Sequence, residues 1–332
     1  MDFREAVEAL LGASFSYAAD KRASKPSPSK EKPTFMPLDW TDGMEELYQY
    51  LSGKRCIDTA VISAFVDTGS LYQTKEISKT TGKPYSNAAF IANDFNSIPQ
   101  GAVIRSFYPN GFKGNHKNSN MSQYCFRHDG ASQTGSSKIF VFEAPVDMLS
   151  YITLIRKKEI CNLISQGFTP DAAQQSAHSW KNDSYLALGG VSPSPLLNYV
   201  AHMNSQDKEI GEIWLCLDND MPDEKDRVPG IEAAIRMVDR LKETGFDGKI
   251  FCFFPKGKDW NDDLQKAVKS TAWRDNSWDA VTKGYISNNL HYGTKEALEV
   301  VLADVIQKHK QQQVHIQGTS VSAPLPKIVL AR

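Results

Sequence analysis

Residues 213–220 read IWLCLDND, an apolar run of strand length that ends in two aspartates one residue apart. A nearly continuous apolar run suits a strand buried on both faces of a parallel sheet. Its two carboxylates then either cap a turn or hold a metal ion. The pattern recurs on both sides. KIFVFEA (138–144) ends in Glu143, with Asp147 one helical turn later, and KIFCFFP (249–255) leads into PKGKDWNDD with Asp259, Asp262 and Asp263. SYLALGG (184–190) reads as a further strand, and helical spacing at 146–157, 194–204 and 230–243 alternates with these runs. The alternation predicts an α/β fold with a parallel sheet flanked by helices. In such sheets ligands sit beyond the carboxyl ends of the strands. Three strands therefore deliver acidic side chains to one edge.

The 332 residues are 41% hydrophobic and 23% charged, enough for a real core in two modest domains or one with appendages. A net charge of -1 excludes an overall basic excess, so any nucleic-acid surface has to be local. No apolar run approaches membrane-spanning length, and no membrane partner is expected. The start, MDFREAVEALLG, reads as an amphipathic helix and not as a signal peptide. Cys56, Cys125, Cys161, Cys216 and Cys252 are widely spread and form no CxxC pair. They predict neither a zinc site nor a disulfide framework, and a reducing, cytoplasmic setting follows.

Residues 19–37, rich in Lys, Ser and Pro, have the composition of a flexible linker. Helices are expected at 42–51 and 58–69, and short strands at AAFIAND (88–94) and GAVIRSF (101–107). One amphipathic helix is expected at 294–310, and 311–332 has little reason to pack.

Neighbouring carboxylates raise each other's pKa, so an acidic edge calls for a counter-charge. Oxygen ligands without His or Cys favour Mg²⁺ or Mn²⁺ over zinc. Magnesium held by a few carboxylates keeps positions open for phosphate oxygens, which points to phosphoryl or nucleotidyl transfer. Each piece also has a plainer reading. A DxD can cap a turn, Glu143 can favour a helix dipole, and Asp262 and Asp263 can open the next helix. The ordered set, each member at a strand end, favours metal.

Together FVFEAPVDMLSY (140–151), LALGG (186–190), IWLCLDNDMPDEKDRVPGIEAAIRMVDRL (213–241) and FFPKGKDWNDDL (253–264) resemble a toprim domain. That module is shared by DnaG-type primases, type IA and type II topoisomerases and OLD-family nucleases. The resemblance implies a Rossmann-like toprim sheet over 137–266, preceded by a smaller α+β basic domain at 38–136 and followed by a helical segment at 267–310. Its signature glutamate and DxD fall on Glu143 and on Asp218 with Asp220, the candidate catalytic residues. The primase branch is most similar, because Asp147 follows Glu143 in EAPVD and PKGKD resembles a late metal-binding loop. The implied metal set is Glu143, Asp147, Asp218, Asp220 and Asp259. Asn261 stands where primases often carry a further acid. Gly230 resembles the glycine that opens the helix after DxD, although the loop before it is longer than usual.

Between 104 and 138 the charged residues are Arg105, Lys113, Lys117, Arg127 and Lys138 against Asp129, interleaved with Phe107, Tyr108, Phe112, Tyr124 and Phe126. Spacing alone leaves two readings, a solvated basic face over an aromatic core or a surface that binds phosphates and stacks bases. The stretch RSFYPNGFKGNHKNSNMSQYCF (105–126) is similar to the segment before toprim in mobile-element primase-like proteins. That likeness implies phosphate contact at Arg105, Lys113 and Lys138, with Lys117 and Lys258 as further candidates. DFREAVEALLG resembles the helix that ends a primase zinc-ribbon domain, but the ribbon cysteines are absent and no zinc is expected in this chain. The implied function is metal-dependent primer synthesis on single-stranded DNA from nucleotide triphosphates, in replication or transfer of a mobile element. A helicase or a relaxase is the implied protein partner. The alternatives are a toprim nuclease and a non-catalytic DNA-binding accessory.

Overall fold

A computed structural model describes residues 35–39, 41, 43–77, 81–131, 137–286 and 290–320. The helix expected at 3–12 and most of the expected linker lie outside them. At the linker's end, Phe35 is buried against Ala89, Ile91, Ala102 and Ile104, so packing begins before residue 38.

The first region opens with α1 (Glu45–Tyr48), which runs into a π-helical turn at Gln49–Lys54. Helix α2 (Thr59–Val66) follows, its N-terminus capped by Asp58, whose carboxylate accepts from Ala60 N at 2.8 Å. Strands β1 (Leu71–Ile77), β2 (Pro84–Asn93), β3 (Pro99–Ser106) and β4 (Lys113–Asn115) form an antiparallel sheet in that order. Residues 87–92 of β2 are buried without a break, because the sheet is covered on both faces. Phe90 turns toward α1 and α2, and Ile91 toward Phe35.

The second sheet is built from β5 (Phe126–His128), β6 (Ser137–Phe142), β7 (Ser184–Ala187), β8 (Ile210–Leu215), β9 (Lys249–Phe253) and β10 (Leu290–Tyr292) in the order β10-β9-β8-β6-β7-β5. The four central strands are parallel, and the two edge strands antiparallel. Between β6 and β7 lie α3 (Pro145–Ser165) and α4 (Pro170–Ser176). Helix α5 (Ser194–Ser205) precedes β8, and α6 (Pro229–Glu243) precedes β9. After β9 come α7 (Trp260–Val268), α8 (Thr271–Arg274), α9 (Trp278–Tyr285) and, beyond β10, α10 (Lys295–Ser320). One face of the sheet packs on α3 and α7 in a core that also takes in Leu47, Ile62 and Phe65 of the first region. The other face packs on α5, α6 and Leu298 of α10. This is the α/β architecture that the strand–helix alternation predicts.

Three details depart from the sequence expectation. Helix α3 runs eight residues beyond 157, because Ile160 and Cys161 continue its apolar face and Ile160 packs on Ala173 and Ala177 of the α4 segment. Helix α10 continues to Ser320, so part of the segment expected to be unstructured is helical; its Gln- and Lys-rich stretch carries no helix breaker before Gly318. Strand β5 pairs with β7 although it precedes residue 137, which interleaves the two regions at that edge. Among the described residues no helix is long and apolar enough to cross a membrane.

Candidate active site

The strands of the second sheet end together, and each end throws a loop to the same edge. After β6, Glu143 precedes Pro145, which opens α3 with the φ that a first helical turn requires. Glu143 Oε1 accepts from Asp218 N at 3.2 Å, so the loops after β6 and β8 are tied through the glutamate itself. Asp147, in the first turn of α3, is buried and accepts from Asn261 N at 3.3 Å. Between the two aspartates of the DxD, Asn219 turns the other way. Its N–H donates to Lys258 O at 2.8 Å and its Nδ2 to Pro255 O at 3.1 Å, which joins this loop to the one after β9. Asp218 and Asp220 stay close enough that, after burial, Asp220 helps to raise the Asp218 carboxyl.

Asp259 caps α7, its Oδ1 accepting from Asp262 N at 2.7 Å. Asp263 shapes the PKGKD loop by accepting from Lys256 N and Gly257 N, both at 2.7 Å, and Asp262 pairs with Lys266 at 2.6 Å. The capping reading therefore holds for Asp259, through one oxygen, while Asp262 and Asp263 lie in the first turn of α7 with other partners. Gly230 opens α6 directly beneath the DxD loop. A Cβ there would collide with the carbonyl oxygen of Asp218 and approach Glu143 Oε1 to 3.4 Å. A residue without a side chain is required for that approach.

The acids are electrostatically frustrated. Burial pushes Glu143 up to about 7, and Asp220 adds to the rise while the Asp218 backbone N–H and Lys258 oppose it. Burial, then the nearby Asp259, raises Asp147 well above the carboxylate range. Asp218 is raised further, by burial and then by Asp147, Glu143, Asp259 and Asp220. Its Oδ1 is buried without a hydrogen-bond partner. Among the described residues no three His, Cys, Asp or Glu side chains stand together as a preformed metal cage. The donor set is nonetheless all oxygen, like-charged and left with an orphaned acceptor, which fits a hard divalent cation such as Mg²⁺ or Mn²⁺. Asp147, Asp218, Asp220 and Asp259, with Glu143, are the side chains that would hold it.

Beside this edge lies a cavity of about 310 Å³ whose wall carries Lys54, Arg55, Arg105 and Lys113 together with Tyr108 and Phe112. Arg105 and Lys113 face each other across β3 and β4, and Arg105 lies close enough to Asp147 to oppose its rise in pKa. Tyr108 and Phe112 are 59% and 58% exposed, whereas Phe107 and Phe126 are core residues. The aromatic interleaving of the sequence thus divides into a core set and an exposed pair. Helix α7 connects the two features, since it starts at Asp259 and sends Gln265 into the cavity wall.

The sequence candidates do not all converge. Lys258 sits beside Glu143, and Arg105 and Lys113 line the cavity, but Lys117 lies in the exposed turn after β4 and is not part of its wall. Lys138 stands at the opposite end of β6 from Glu143, bridged to Glu212 at 3.3 Å. The strand's own length, ~3.3 Å per residue, separates it from the acids. Lys54 and Arg55 were missed by sequence reasoning; the basic pair closing a helix was the available signal, and it lies far from the stripe.

Residues 140–264 match the family described as Toprim-like, and residues 49–132 match one described as a protein of unknown function (DUF3991). No curated protein matches the chain. Among solved structures, the primase fragment of the bacteriophage T7 primase-helicase protein is 18% identical, with 75% of this chain and 82% of that chain covered and a TM-score of 0.42. A DNA primase domain from Pseudomonas aeruginosa is 18% identical over 76% of this chain and 64% of that chain, with a TM-score of 0.34. The RNA polymerase domain of Mycobacterium tuberculosis primase DnaG is 14% identical over 71% and 76%, with a TM-score of 0.39. Fold and site define an α/β protein with an acidic edge at its strand ends. More particularly, residues 140–264 are a toprim-like domain, as the resemblance of its four motifs implied.

Proposed function

We propose that this chain is a primase-like nucleotidyltransferase that makes primers on single-stranded DNA during replication or transfer of a mobile element. The observation that carries the reading is that one short helix joins the acidic edge to the basic, aromatic-lipped cavity. Asp259 and Gln265 are six residues apart on it, a rise of about 9 Å along the axis. That span suits a triphosphate, with its tail toward the carboxylates and its base or the template strand against Tyr108 and Phe112.

In this reading Lys54, Arg55, Arg105 and Lys113 bind and orient phosphates, which supplies positioning before any bond changes. The two exposed rings offer faces for stacking bases irrespective of sequence. A bound Mg²⁺ or Mn²⁺ would neutralise charge that develops on phosphate oxygens. Glu143, whose carboxyl burial raises to about 7, serves either as a ligand of the cation or as the group that takes or gives a proton, in each case through Oε2, since Oε1 is engaged by Asp218 N. Free cysteines throughout suit a cytoplasmic setting, and a helicase or relaxase is the partner class that would deliver single-stranded template.

The test is extension of a single-stranded template with labelled nucleotides and Mg²⁺ or Mn²⁺, comparing wild type with Asp218→Asn. The reading expects metal-dependent primers from the wild type and none from the variant at unchanged fold. Strand cleavage in place of extension would establish the nuclease alternative, and salt-dependent DNA binding without turnover the accessory role.

A further inference from the structure

One buried polar side chain between the two halves of the site has no part in that reading. Asn261, in the first turn of α7, is 2% exposed. Its Nδ2 donates to Arg55 O at 2.8 Å and to Ser150 Oγ at 2.9 Å. Its Oδ1 accepts from Arg55 Nη1 at 3.2 Å and from Gln265 Nε2 at 2.7 Å. Its backbone N–H donates to Asp147 Oδ1. The carboxamide is thus fully used, and its partners lie in the cavity wall, in α3 and in the acidic edge. Among the described residues Arg55 is otherwise steadied by one neighbour in its own turn, through Nε to Tyr50 Oη at 3.1 Å and by lying over that ring at 5.4 Å.

An amide at this place does what a carboxylate could not. A carboxylate would lose both donors, set an oxygen against the Arg55 carbonyl, add negative charge beside Asp147 and neutralise the guanidinium. The amide fixes the guanidinium while leaving its charge for a ligand.

We propose that Asn261 is the positioning residue that sets Arg55 in the cavity wall and so registers the phosphate-binding pocket against the carboxylate edge. The proposal rests on the reading of that cavity as a phosphate site. It also assigns this chain one fewer anionic metal ligand, because the side chain at 261 is spent on Arg55.

The test is a double-mutant cycle on binding of ATP without divalent cations, by calorimetry, with melting curves to establish that each variant is folded at the assay temperature. Arg55→Ala is expected to weaken ATP roughly tenfold, and Asn261→Ala roughly fivefold, in the range for directly bonded neighbours. The double variant should be no weaker than Arg55→Ala. Asn261→Asp should bind ATP less well than Asn261→Ala, and it completes the cycle with Arg55→Ala if the alanine variant does not fold. In a separate titration Mn²⁺ affinity of Asn261→Ala should stay within about twofold of wild type, since the side chain is no ligand. Losses that multiply in the double variant, or an ATP affinity untouched in folded Asn261→Ala, would overturn the proposal. Indifference to Arg55→Ala alone would instead overturn the phosphate reading beneath it, and the proposal with it.

Discussion

The two ends of one sheet treat charge in opposite ways. At the amino ends of the strands, Asp183, Lys138, Glu212 and Lys249 follow one another across β7, β6, β8 and β9 with alternating sign. Lys138 and Glu212 pair at 3.3 Å, and Glu212 is held below the usual carboxylate range by a hydrogen bond from the Trp214 indole and by Lys138 and Lys249. At the carboxyl ends the same strands deliver Glu143, Asp218 and Asp259, all of one sign, with burial and mutual repulsion raising Glu143 and Asp218. One end is largely paired within the chain, with Asp183 raised by burial. At the other, like-charged carboxylates are left under mutual repulsion, and in the proposed reading that difference, more than acidity as such, marks the functional end.

The comparison can be broken by substitution. The largest effect belongs to Asp218→Asn, which should lower metal-dependent extension by on the order of 10²–10³-fold or more, measured as initial rate per folded protein. Next is Gly230→Ala, whose new methyl would be driven into the backbone carbonyl of Asp218. It should lower stability by about 1–3 kcal/mol, read as a fall in Tm, and weaken Mn²⁺ binding with it. Arg105→Ala should weaken single-stranded DNA about tenfold and reduce the slope of log affinity against log salt by about 1. Lys138→Ala should change DNA affinity by less than about twofold and stability by no more than about 1 kcal/mol, since it breaks only a half-exposed pair.

A pH titration sharpens the same contrast. A carboxyl whose folded pKa is raised binds its proton more tightly in the fold than in the unfolded chain. Its favourable contribution is therefore full at low pH and is lost as pH rises from about 4 through 7, the value to which Glu143 is pushed. The metal-free protein should melt at progressively lower temperature across that window. Asp218→Asn should flatten the decline, and Mg²⁺ should oppose it in the wild type.

Much of this was legible in the sequence because buried parallel strands write themselves as apolar runs. The runs ending at Glu143 and Asp218 located both the sheet and its acidic edge. The three-residue strands β4, β5 and β10 left no period to read. Lys138 looked like part of a basic stripe because sequence distance hides that a strand's two ends face different surroundings. Lys54 and Arg55 were hard to read for the converse reason: the partners that hold them in the cavity wall, Phe107 O for Lys54 and Asn261 for Arg55, lie far along the chain. Asn261 itself departs from the acid expected by resemblance, and its bonding partners give the physical reason.

If a divalent cation completes the carboxyl end of the sheet, the metal-free protein must bind one there. Calorimetric titration of the metal-free protein with Mn²⁺ at neutral pH, in two buffers of different ionisation enthalpy, tests it most directly. Saturable binding accompanied by proton release from the raised carboxyls is expected, with both lost in Asp218→Asn and both retained in Lys138→Ala. Absence of binding to the wild type, or equal binding and proton release in Asp218→Asn, would contradict it.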